Sequence, residues 1–121
     1  MLSWPPAVRV FVHTQPTDMR RSFDRLAQMA QEVLHQDPFS GHLFVFVNRA
    51  GDRMKILFWD RSGYALFYKR LEEGVFHLPA QEGAGVEIDV PRLTLILEGL
   101  DLSGAKQQKR FTWPRTGTEE L

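Results

Sequence analysis

The sequence predicts an α+β fold: an antiparallel β-meander of about five strands packed on one amphipathic helix, with a short C-terminal helix. Two observations support this prediction. Short runs of β-branched and aromatic residues recur between turn residues, and one longer stretch carries apolar residues at helical spacing. We expect residues 1–101 to form a single α+β domain and residues 102–121 to be a polar, flexible tail.

The amphipathic helix is predicted from Asp18 to His35. Its apolar stripe has spacings of four, three, four and three residues and consists of Met19, Phe23, Leu26, Ala30 and Val33. Thr17 or Asp18 is expected to cap the first turn. The helix should end before Asp37-Pro38, because the residue that precedes a proline is pushed out of the helical region.

One strand is expected before this helix and four after it, joined by turns that contain glycine. The predicted strands are 7–13, 43–48, 54–59, 64–70 and a short return at 75–78. A short helix near residues 90–98 follows a loop, with Asp89 as its cap. These elements complete the predicted domain.

Both faces of the middle strands are apolar, whereas a half-exposed antiparallel sheet carries one polar face. The amphipathic helix covers one face, and the short helix near residues 90–98 is a small cover for the other. A homo-oligomer or a partner protein is therefore expected to complete the second layer.

Composition excludes several classes of protein. The 121 residues contain no cysteine, which excludes disulfides and thiolate metal sites and fits a reducing compartment. The apolar runs have the length of strands, so no membrane span is predicted, and residues 1–6 do not look like a signal peptide. We expect a cytoplasmic protein that makes no contact with a membrane.

No catalytic residue, metal site or cofactor is predicted. Asp18 and Asp24 are six residues apart, about 240° around a helix, so they cannot both face one ion. The four histidines lack paired metal spacing. A small metal-dependent nuclease based on Asp18, Asp24 and Asp60 is retained only as a third alternative.

The charge is distributed in blocks although the net charge is zero. Residues 49–70 carry +4, residues 71–101 carry −6 and residues 102–115 carry +4. Basic groups neutralise phosphates, and the interleaved aromatic rings can stack on bases or simply pack in the core. The candidate nucleic-acid-binding residues are Arg49, Arg53, Lys55, Arg61, Lys69, Arg70, Lys106, Lys109 and Arg110. An ordinary solvated surface is the alternative interpretation of these blocks.

Five motifs in order carry a family resemblance. They are Pro16-Thr-Asp-Met-Arg-Arg-Ser-Phe-Asp24, Leu43-Phe-Val-Phe, Asn48-Arg-Ala-Gly-Asp-Arg-Met-Lys55, Trp59-Asp60 and Tyr68-Lys-Arg-Leu-Glu-Glu-Gly74. Over about residues 5–100 the chain resembles the TnpB accessory proteins of IS-66-type insertion sequences. These are distinct from the much longer RNA-guided nuclease that shares the TnpB name.

The resemblance implies a bacterial accessory protein that supports DNA transposition by a separate, larger transposase, which holds the catalytic carboxylates. The expected partners are that transposase and the DNA at the ends of the insertion sequence. The alternative is a pure protein–protein interaction module, an oligomeric scaffold without DNA contact, which the two-sided apolar sheet and the acidic segment 71–101 suggest.

Overall fold

A five-stranded mixed sheet lies between two helices in the computed structural model, which describes residues 7–79 and 83–100. In chain order the elements are β1 (Val10–His13), α1 (Phe23–Glu32), β2 (Leu43–Val47), β3 (Arg53–Asp60), β4 (Gly63–Arg70), β5 (Gly85–Ile88) and α2 (Val90–Leu97). The predicted α+β class is confirmed. The predicted tail, with Lys106, Lys109 and Arg110, lies outside the described residues.

The sheet has the strand order β4-β3-β2-β1-β5. β2, β3 and β4 form the predicted antiparallel meander, in which all eight residues of β3 pair with β4. β1 pairs with β2 in parallel, with Phe11 beside Phe44, because the chain crosses over through α1 between them. The sheet is therefore mixed, and the purely antiparallel meander of the prediction is corrected at this one pair.

The fifth strand is not where the sequence predicted it. Residues 75–78 form no strand; Phe76 is buried there, and its N–H donates to the Gly51 carbonyl at 2.8 Å. The fifth strand is β5, which pairs antiparallel with β1. Its sequence, Gly-Val-Glu-Ile, is too short and too polar for the pattern to indicate a strand.

The helix α1 begins at Phe23, five residues later than predicted, with Ser22 at the N-cap. The carbonyls of Met19 and Arg21, which would accept bonds from the next helical turn, instead accept from the Lys55 ammonium at 2.7 Å each. The helix ends at Glu32, before the predicted boundary, and His35 follows in the left-handed region at φ 55°.

One apolar core lies on each face of the sheet. The α1 side holds Phe11, Leu26, Ala27, Met29, Ala30, Phe44, Phe46 and Leu57. The other side packs sheet residues against α2 and the segment after β4 and includes Val10, Val12, Leu43, Val45, Ile56, Phe76, Leu93, Ile96 and Leu97. The chain itself thus covers both apolar faces, which accounts for the pattern that suggested an oligomer.

The predicted second helix and its cap are confirmed. The Asp89 side chain accepts from the Arg92 N–H at 2.9 Å, and Pro91 lies in the first turn, where its missing N–H costs nothing. Within the described residues, no helix is long and apolar enough to cross a membrane.

Candidate nucleic-acid interface

An open groove of about 510 Å³ lies between the loop that precedes α1 and the turn that joins β2 to β3. We call it the arginine groove. It is lined by Pro16, Thr17, Asp18, Met19, Arg21, Asn48, Arg49, Ala50 and Arg53. Two of the motifs that carry the family resemblance, about thirty residues apart in the chain, therefore form its two walls.

The first wall is tied to the sheet by buried polar contacts. The Thr17 N–H donates to the Val47 carbonyl at 2.8 Å. Lys55 is only 6% exposed, and its ammonium donates to the carbonyls of Met19 and Arg21. Because these bonds hold the backbone on either side of Arg20, the Arg21 side chain leaves the loop from a fixed position.

Buried His13 supports the same loop from below. Its Nδ1 lies 2.9 Å from the Gln15 carbonyl, so Nδ1 carries the hydrogen and donates. Burial lowers the pKa of His13, against the bond to Gln15, which raises it, and the nearby Arg21 guanidinium lowers it further. His13 is therefore a neutral structural group at pH 7.

The second wall is a tight turn built by Asn48. Its side-chain oxygen accepts from the Arg53 N–H at 3.0 Å, and its amide donates to Asp52 at 2.8 Å. Gly51 takes φ 81°, a conformation that favours glycine. The turn therefore presents Arg49 and Arg53 on the same side of the groove.

The charge of the arginine groove is positive. Arg21, Arg49 and Arg53 form no ion pair with a carboxylate in the parts of the chain that the structure describes. Asp18, the acid of the lining, pairs with Arg20 at 2.7 Å, and the hydrogen bonds from Arg20 lower its pKa to about 2. Asp18 is thus ionised, but its charge is already neutralised by Arg20, and the groove is suited to bind an anion.

The predicted basic residues divide between this groove and other places. Arg49 and Arg53 line it. Lys55 is buried beneath it, with its ammonium on two carbonyls, and is not available to a ligand. Lys69 pairs with Met54 in the sheet and donates to the Leu97 carbonyl at 2.7 Å, at the end of α2. Lys55 and Lys69 thus brace the fold.

Two other predicted residues lie outside the groove. Arg70 is next to it in the sheet, paired with Arg53 across the strands, and its Nε donates to Glu72 at 2.8 Å. Arg61 lies in the turn after Asp60, so the length of β3, about 23 Å, separates it from Arg53. Arg61 therefore belongs to a different surface.

Arg21 is the groove residue that the sequence analysis missed. The predicted helix, Asp18 to His35, included residue 21 outside its apolar stripe, whereas in the structure α1 begins at Phe23 and Arg21 lies in the loop that lines the groove. The position of Arg21 within the first family motif is the signal that could have identified it, because motif residues outside the apolar stripe often contribute to a binding site.

The carboxylates of the nuclease alternative do not converge. Asp18 lines the groove, whereas Asp60 lies at the opposite end of β3. Among residues 7–79 and 83–100, no group of three histidine, aspartate or glutamate side chains is arranged to hold a metal ion. Nothing in the described geometry favours two-metal chemistry.

Comparison with known proteins gives the family. Residues 8–107 match the IS66 Orf2-like protein family, TnpB_IS66. The chain is 44% identical over 94 residues to protein y4hO of Sinorhizobium fredii (strain NBRC 101917 / NGR234), covering 78% of this chain and 82% of that protein. It is 34% identical over 101 residues to protein y4jC of the same strain, covering 84% and 86%. No solved structure matches. The chain therefore belongs to the IS66 Orf2-like family, which consists of transposition accessory proteins of IS66-type insertion sequences rather than known enzymes.

Proposed function

We propose that this protein assists transposition by holding the sugar-phosphate backbone of DNA in the arginine groove. The observation that carries the proposal is the convergence of Arg21, Arg49 and Arg53 from two separate motifs onto one open surface. A guanidinium group matches a phosphate with two parallel hydrogen bonds, and its charge releases counterions from the DNA when it binds.

The fixed geometry of both walls supports this proposal. Arginine side chains lose much rotamer freedom on binding, so a mobile backbone beneath them would raise the cost further. Here the Lys55 ammonium holds one wall and the Asn48 side chain holds the other. The entropic cost of binding is then limited mainly to the ordering of the three arginine side chains.

Fluorescence anisotropy with labelled duplex DNA from the end of the insertion sequence tests the proposal. We expect Arg21→Gln, Arg49→Gln and Arg53→Gln each to weaken binding about fivefold. The matched control is Arg92→Gln in the exposed part of α2, on the other face of the sheet, which should bind like the wild type. Absence of binding, both alone and with the transposase added, would reject the proposal.

A second candidate function, binding to the transposase, is favoured by an aromatic cluster at the far end of the β3–β4 hairpin. Trp59 and Tyr64 pair across the strands with ring centroids 5.1 Å apart, and Phe39 lies 5.0 Å and 5.7 Å from them. Phe39 is 58% exposed. Exposed aromatic clusters are typical of the centres of protein interfaces.

Capture of the transposase on immobilised protein tests this second function. Phe39→Ser should reduce capture, whereas Leu95→Ser, a change at a similarly exposed apolar residue on α2, should not. Equal capture by both variants would count against the aromatic cluster as the contact surface.

A further inference from the structure

A second, smaller hollow adjoins the arginine groove and shares Arg53 with it. It has a volume of about 180 Å³ and is lined by Arg53, Tyr68 and Arg70. Two guanidinium groups thus flank one aromatic ring.

The Tyr68 ring is fixed from two directions. It lies opposite Lys55 in the register of β3 and β4, and the Lys55 ammonium is 4.9 Å from the ring centroid. The Arg53 Nη1 donates to the tyrosine hydroxyl at 3.4 Å. The residue nevertheless remains 48% exposed. The ring is therefore held with much of its surface open to solvent, and a planar ligand would cost little further ordering.

The flanking charges suit the backbone of a nucleic acid. Arg53 also lines the arginine groove, so a phosphate bound there would have its neighbouring base within reach of Tyr68. Arg70 is held by Glu72 in a surface ion pair whose side chains are 57% and 45% exposed. Such a pair is weak, so Arg70 is able to exchange the carboxylate for a phosphate.

We propose that this hollow takes an unpaired base of single-stranded or frayed DNA, which stacks on the free face of Tyr68 while Arg53 and Arg70 hold the flanking phosphates. The proposal rests on the proposed function, because the strand must also occupy the arginine groove. In an intact duplex the bases are stacked on one another inside the helix, so Tyr68 cannot reach a base face there. Single strands offer every base face to a stacking ring, whatever the sequence.

Binding of a labelled oligothymidine strand and of a duplex of equal length, measured by fluorescence anisotropy at one salt concentration, tests this inference. The wild type should bind the single strand, and Tyr68→Leu should weaken that binding about 5- to 100-fold while changing duplex binding less than about twofold. Tyr68→Phe keeps the ring and should retain most of the affinity. Phe23→Leu removes an exposed ring at the start of α1 that lines neither the arginine groove nor the hollow, and it is the matched control.

The outcomes separate the two proposals. Duplex binding that depends on Arg49 and Arg53, with no effect of Tyr68→Leu on the single strand, would overturn the stacking role and leave the proposed function standing. Failure of the wild type to bind either DNA would overturn both. If Tyr68→Leu does not fold, the measurements on the wild type and on Tyr68→Phe decide. Stacking is contradicted if Tyr68→Phe loses single-strand binding, or if the wild type does not bind the single strand.

Discussion

The ammonium of Lys55 lies 2.7 Å from the carbonyl oxygen of Arg21, and it holds the Met19 carbonyl at the same distance. This contact joins the middle of the sheet to the loop before α1. It uses the carbonyls that would otherwise extend the helix and sets Arg21 beside Arg49 and Arg53. A lysine from a basic segment of the sequence thus shapes the arginine groove from beneath, without lining it.

Replacing Lys55 should destabilise the protein. Lys55→Met keeps the length of the side chain but removes both charged hydrogen bonds, and we expect a loss of about 2–3 kcal/mol in the free energy of unfolding. Urea denaturation measures this loss. Arg49→Met, at an exposed position, is the control and should change stability by less than about 0.5 kcal/mol. Equal stability of the two variants would contradict the bracing role of Lys55.

His13 should make stability depend on pH. Burial holds its folded-state pKa below the ordinary 6.5. Above pH 6.5 the ring is mainly neutral in both the folded and the unfolded protein, and its contribution to stability is fully present. Below pH 6.5 the unfolded protein binds the proton first, so the free energy of unfolding decreases as the pH falls through the folded-state pKa.

Urea denaturation of the wild type and of His13→Gln at about pH 7.5 and about pH 5.5 checks this sign. We expect the wild type to lose more stability than the variant over this interval. The same loss in both proteins would show that other groups carry the pH dependence.

A side chain at Gly51 should destabilise the turn between β2 and β3. Its φ is +81°, and an added Cβ would lie 3.2 Å from the Cβ of Val75. We expect Gly51→Ala to cost about 1–2 kcal/mol in unfolding free energy. Gly63→Ala is the matched control, because no atom outside that residue and its chain neighbours lies within 4 Å of its Cβ position. If thermal denaturation finds both variants equally stable, the strained turn is not supported.

The cap of α2 should contribute measurable stability. Asp89→Ala removes the acceptor for the Arg92 N–H, and we expect the unfolding free energy to fall by about 1 kcal/mol. Asp89→Asn keeps an acceptor at that position and should lower the unfolding free energy by only about a few tenths of a kcal/mol. Thermal melts followed by circular dichroism distinguish the two. An equal drop in both variants would point to charge and not to capping.

Local patterns predicted the meander well. β2 is an unbroken apolar run, and β3 and β4 are mainly apolar or aromatic. Gly51 lies in the turn before β3 and Gly63 begins β4, so neighbouring residues suffice to define these strands. The Asp89 cap was predictable for the same reason. β5 was missed because its four residues form a strand only through pairing with β1, which is more than seventy residues earlier.

The start of α1 and the composition of the groove depend on contacts between distant residues. The apolar spacing predicts that Met19 is part of the helix. In the structure the Lys55 ammonium, 36 residues away in the chain, donates to the Met19 carbonyl, and the helix begins later. Arg21 and Arg49 become neighbours only because the loop before α1 is bonded to the end of β2. Charge counts along the chain identified two of the three groove arginines and included Lys55 and Lys69, whose ammonium groups are bound to backbone carbonyls.

The salt dependence of DNA binding tests the central claim most directly. The logarithm of the binding constant for duplex DNA is measured against the logarithm of the salt concentration, for the wild type and for the double variant Arg49→Gln and Arg53→Gln. If both arginines contact phosphates, the slope becomes shallower by about 1.8, and Arg92→Gln leaves it unchanged. An unchanged slope in the double variant, with wild-type affinity, would contradict the proposal that the arginine groove holds DNA.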